Sequence, residues 1–172
     1  MTTTLSFFAG LTTLIVFTLY IILKYGVQPS FSDSYYALNK EKEGKGILFT
    51  ITMVAMTFLF AVPMLEISAG QWWQFISFFA IAPIAFVGVA AQFRDGGLTK
   101  KTHMRAAKMS ALFSFIWVVL CGIYLNWVVL LTIPVSVALM AFVWLLSGRT
   151  NKVWWAEYAC FTWTITTIDI LL

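Results

Sequence analysis

The sequence predicts an all-α integral membrane bundle of six transmembrane helices, and three observations carry that reading. Of the 172 residues 61% are hydrophobic and only 10% are charged, whereas a soluble domain carries about 25% charged residues. The apolar residues gather into six runs of roughly 20 residues, the length a helix needs to cross a hydrocarbon core. The runs are also continuous, while the strands of a membrane barrel alternate apolar and polar residues over segments of about 10. Backbone groups in lipid must be satisfied internally, so with the barrel excluded only helices remain.

The first run, residues 5–23, has no basic residue before it and is followed by Lys24 without a small-residue cleavage site. It is expected to be a retained helix rather than a secretory signal. Next comes the longest polar stretch, "KYGVQPSFSDSYYALNKEKEGKG", at 24–46. After Pro29 it predicts a short amphipathic helix with Ser32 as N-cap, Asp33 at the positive end of the helix, and Tyr35 and Tyr36 at the headgroup level. The second span, 47–65, ends with Pro63 and Glu66 at the water interface.

The third span, 75–93, carries Ala82, Ala85 and Gly88, small residues that favour close helix contact in lipid. Pro83 predicts a packing bend in it, as Pro134 does in the fifth. The fourth and fifth spans, 106–125 and 127–146, are joined by little more than Asn126 and must form an antiparallel hairpin. The sixth is 153–172. With no internal repeat and no linker, residues 1–172 are expected to form one domain.

Basic residues fix the threading. Lys24, Lys40, Lys42 and Lys45 follow the first span; Arg94, Lys100, Lys101, Arg105 and Lys108 separate the third and fourth; Arg149 and Lys152 separate the fifth and sixth. Loops rich in Lys and Arg stay on the cytoplasmic side, which puts both termini outside. Trp72, Trp73 and Trp127 mark the outer interface, and Trp154 and Trp155 the inner one. The net charge of +4 then belongs to loops facing anionic headgroups and calls for no nucleic-acid partner. Cys121 and Cys160 differ in depth by on the order of 10 Å, beyond the span of a disulfide at about 7 Å, so two free thiols are expected.

Ionisable groups beside membrane spans are candidates for function because they are costly there. Glu66 and Asp169 fall at the outer face, Glu157 about one turn inside the inner face, and Asp33, Asp95 and His103 at the inner mouth. Tyr158, Thr162, Thr166 and Asp169 share a helical stripe, which lines a polar cavity or, for the threonines, bonds back to its own helix. With a single histidine, a zinc site would have to combine His103 with Asp33, Asp95 or Glu157. A serine nucleophile would have to be Ser32, with His103 as base and Asp33 orienting it. Paired charges at mid-depth, which an ion path needs, are missing.

The reading that follows is non-catalytic binding of a lipid headgroup, a small polar ligand or a partner protein at the cytoplasmic mouth, with no metal or cofactor. Two alternatives stand beside it: a lipid hydrolase or transferase using His103 with Asp33 or Glu157, and a structural subunit of a membrane complex or homo-oligomer.

Three stretches, "KYGVQPSFSDSYYAL", "FVGVAAQF" followed by "THMRAA", and "WWAEYACF", resemble a group of small multi-pass membrane proteins of bacteria and bacteriophages. Their first motif reads S-I-S-D-[ST]-Y-Y, and Phe31 stands here in place of the isoleucine. The resemblance implies a bacterial inner-membrane location and, as site positions, Ser30, Ser32, Asp33, Tyr35, Tyr36, His103 and Glu157. It implies no particular activity.

Overall fold

The computed structural model describes residues 2–172, with the side chain of Asp95 outside the described part. It is all-α, with no strand among the described residues. The α-helices are α1 (Thr2–Tyr25), α2 (Ser34–Glu41), α3 (Ile47–Ile67), α4 (Phe75–Val89), α5 (Gly97–Tyr124), α6 (Thr132–Leu146) and α7 (Lys152–Leu171), with single 3-10 turns at Phe31–Asp33, Phe93–Asp95 and Trp127–Leu131.

Four segments are long and apolar enough to cross a membrane: α1, α3, α5, and the 3-10 turn continued by α6, Trp127–Leu146. The other two expected spans differ for separate reasons. With 15 residues, α4 is apolar but short. In contrast, α7 has the length, 20 residues, but it also carries Lys152, Glu157, Asp169 and the threonines of its second half.

Two boundaries depart from the sequence reading. Well before residue 106, α5 begins at Gly97, because the basic segment "GLTKKTHMR" contains no helix breaker after its glycine and its Lys and Arg stems reach solvent from the helix surface. Pro134 lies in the first turn of α6, eighth in the apolar segment Trp127–Leu146. There the missing N–H costs no hydrogen bond within α6.

Helices adjacent in sequence pack against one another along the series α1, α3, α4, α5, and α7 then closes on α5 and, more lightly, on α3. The buried residues of α1, Thr3, Phe7, Gly10, Leu14, Phe17 and Ile21, recur every three to four positions and form one stripe towards α3. Gly88 lets α4 approach α3 closely: a Cβ there would come within 2.7 Å of the Met53 Cβ. Peripheral to this series, α6 leans mainly on α7. Cys121 and Cys160 are both free thiols.

All the basic loops gather at one end of the bundle, since Asn151 donates to the Val27 carbonyl at 2.9 Å and Arg94 reaches Asp33. This basic end carries the candidate site.

Candidate functional site

The chain leaves α1 at Tyr25, reverses at Gly26 with φ +75° and enters the 3-10 turn through Ser30. Ser30 is extended (φ −145°, ψ 165°) and its Oγ accepts from the Asp33 N–H. The same hydroxyl donates to Asp33 Oδ2 at 2.9 Å. Ser30 is therefore the cap, in place of Ser32, because only the residue ahead of the turn has the extended backbone that aims an oxygen back at the free N–H groups.

A second donor at the start of this turn is met from across the bundle, where Glu157 Oε2 accepts from the Phe31 N–H at 2.6 Å. This bond joins residues 126 positions apart and ties α7 to the segment between α1 and α2. Phe31 is 2% exposed. Its ring centroid lies 5.5–5.9 Å from those of Phe17, Phe49, Trp154, Tyr158 and Phe161, distances at which aromatic pairs attract beyond simple burial.

On the outer side of the turn, the polar residues of the motif clasp the loop between α4 and α5. Arg94 Nη2 meets Asp33 Oδ1 at 2.5 Å, and its guanidinium sits 4.5 Å from the Tyr36 ring centroid. The Arg94 N–H donates to the Tyr36 hydroxyl at 2.6 Å, and Gln92 Nε2 donates to the Tyr35 hydroxyl at 2.9 Å. Asp33, Tyr35 and Tyr36 thus hold two loops together.

His103 is placed otherwise. It is buried, its Nδ1 lies 3.1 Å from the carbonyls of both Val87 and Ala90, and its ring stacks on Phe93 at 4.5 Å. Carbonyls only accept, so Nδ1 carries the proton, and His103 caps the C-terminal end of α4. No hydrogen bond joins it to Ser32, Asp33 or Glu157, and both oxygens of Asp33 are engaged by Ser30 and Arg94. The combination of Ser32, His103 and Asp33 is brought to one end of the molecule without the contacts of a nucleophilic relay. Among the described residues no group of three His, Cys, Asp or Glu side chains stands close enough to hold a metal ion.

Behind Phe31 the helices leave a cavity of about 100 Å³, walled by α3, α4, α5 and α7 and lined at the basic end by Phe31, Ser32 and Glu157. Its α3 wall runs through Met53, Met56, Phe60 and Met64, a rise of roughly 16 Å. Ser110 and Ser114 also face it, but their hydroxyls donate to the Ala80 and Ala111 carbonyls, so the walls are effectively apolar. Glu157 is the one carboxylate among the lining residues. Ser32 is 4% exposed, lines the cavity, and its hydroxyl bonds to no described residue.

The stripe on α7 divides. Thr162 bonds back to the Tyr158 carbonyl at 2.7 Å, and the Tyr158 hydroxyl pairs with Thr18 of α1. The groove beside them is otherwise lined mostly by Leu and Ile, and Asp169 does not reach it. Glu66 accepts from Thr3 Oγ1 at 3.0 Å and joins α1 to α3.

Sequence reasoning missed Phe31 as the hub and Arg94 as the partner of Asp33. Phe31 could have been found as the one large apolar residue inside a polar turn. The methionines at 53, 56 and 64, on one face of α3, signal a deformable wall. No protein-family model matches the chain, and neither a curated protein nor a solved structure is similar to it.

Proposed function

We propose that the protein binds an amphiphile taken from the bilayer, holding its polar head at the mouth formed by Ser32 and Glu157 and its chain in the cavity behind them, without chemical turnover. One observation carries this reading: an apolar chamber inside the bundle ends in polar groups whose hydrogen-bonding capacity the protein leaves partly unused. Such a combination of apolar walls and a few convergent polar groups is the usual form of a small-molecule site.

The reading includes six spans. With 20 residues, α7 has a length of roughly 30 Å, and α4 is extended by the flanking aromatic turn at Trp72 and Trp73. The eleven basic residues then face the cytoplasm of a bacterial cell and both termini face outward, so the mouth opens at the inner leaflet.

The experiment is native mass spectrometry of the protein released gently from its membrane, beside Ala111→Phe, which fills the cavity from α5. A defined lipidic mass present on the wild type and lost from the folded variant supports the proposal. A wild type without such a mass, or a mass the variant retains, removes it. A reporter fused after Leu172 and found in the cytoplasm would overturn the threading.

A further inference from the structure

We infer that the head group the mouth accepts is a protonated amine on a single alkyl chain. The inference rests on the amphiphile reading above and adds the chemical class of the head.

Charge decides the head. Among the residues lining the cavity no lysine or arginine occurs, and Glu157 supplies the only carboxylate. The nearest guanidinium in the clasp, Arg94, is committed to Asp33 and to the Tyr36 ring and does not line the cavity. No cation among the lining residues stands ready for an anionic head, whereas an ammonium brings to Glu157 the cation that a buried carboxylate needs in a setting of low dielectric.

Hydrogen bonding agrees. Glu157 Oε2 is engaged by the Phe31 N–H, and no protein donor engages Oε1. Ser32, nine-tenths buried and more, lines the same cavity, and its hydroxyl bonds to no described residue. An ammonium carries three donors beside its bond to the chain and no acceptor, and Glu157 Oε1 and the Ser32 Oγ are acceptors that no protein donor engages.

Volume sets the chain. At roughly 30 Å³ of liquid volume per water-sized group, a void of about 100 Å³ takes the first three or four carbons of a single chain, and the methionine wall must yield to admit the rest of an octyl group.

The test uses the full chain in lipid nanodiscs and a diazirine-bearing octylamine, with the labelled peptides mapped by mass spectrometry. Octylamine, octanol and octanoate, which share one chain, then compete for the label. Labelling at the Met53 to Met64 face, displaced by octylamine at about tenfold lower concentration than by octanol and not by octanoate, is the expected result. Glu157→Gln should abolish the preference for the amine while cavity labelling persists. If that variant fails to fold, Ser32→Ala should reduce the preference several-fold. Octanol or octanoate competing as well as octylamine overturns the amine head and leaves chain binding in place. Labelling absent from the cavity, or unaffected by Ala111→Phe, overturns chain binding and the inference together.

Discussion

Two polar clusters sit at opposite ends of the same bundle, and they are finished to different degrees. At the end away from the basic loops, Ser68 donates to the Met64 carbonyl at 2.9 Å, contacts Ser77 Oγ at 2.8 Å and accepts from the Trp117 indole at 2.8 Å. A serine hydroxyl has one donor and two acceptor positions, so Ser77 must be the donor in its pair and Ser68 is saturated. At the basic end, Glu157 and Ser32 face an apolar cavity with capacity to spare, and the Ser34 hydroxyl is buried without a partner. The closed cluster holds helices together, and the open one is stable only at a cost that a ligand can offset.

The largest expected effect comes from removing what supports the open cluster. Phe31→Ala takes away the ring shared by five aromatic neighbours and should lower stability in mild detergent by about 3–5 kcal/mol. A loss near zero would mean that the mouth is not built on Phe31. Next, Ser68→Ala should cost about 1–3 kcal/mol, because it leaves the buried Trp117 N–H and Ser77 without their partner. Ser32→Ala, the matching change in the open cluster, should cost less than about 0.5 kcal/mol, since no protein bond is lost. Equal losses for the two serines, measured by thermal unfolding in the same detergent, would erase the distinction between the clusters.

The smallest effect lies on the rim. Lys24 and Lys45 each approach Glu41 Oε1 at 2.8 Å, and the Tyr25 hydroxyl donates to the same carboxylate. These contacts, that of Lys24 first, pull the Glu41 carboxyl down to about 2 from an ordinary 4.5. A depressed carboxyl contributes stability above its unfolded value and loses it as the pH falls, here between about 4.5 and 2. Glu41→Gln should flatten that part of the pH profile slightly, as expected for a solvent-screened pair. A large change would mark the rim as a third structural cluster.

The helices were readable from the sequence because each apolar run is long and uninterrupted, and Gly88 announced the close contact of α4 with α3. The start of α6 was not legible because the turn at Trp127–Leu131 is as apolar as the helix it precedes, so hydropathy cannot mark where the helix begins. Ser30, Asp33 and Glu157 do meet around one turn, since all lie beside helix ends that the basic loops bring together. His103 was drawn into the same group by its chemistry, but its position is set by the carbonyls at the end of α4, a tertiary contact with no local signature. Phe31 and Arg94 matter through partners distant in sequence, and spacing along one chain does not reveal such partners.

The hydrogen bond between Phe31 and Glu157 also has a meaning in time. Most packing in the bundle joins helices that are neighbours in the chain and so can form as each pair emerges during synthesis. The bond across 126 residues cannot. Until α7 has been made, the turn at Ser30 lacks its second cap and Phe31 lacks three of its five aromatic neighbours, Trp154, Tyr158 and Phe161. The turn at Ser30 is thus the last part of the bundle to mature, and a nascent chain halted before its final helix could already pack α1, α3, α4 and α5 together yet would leave that turn unfinished.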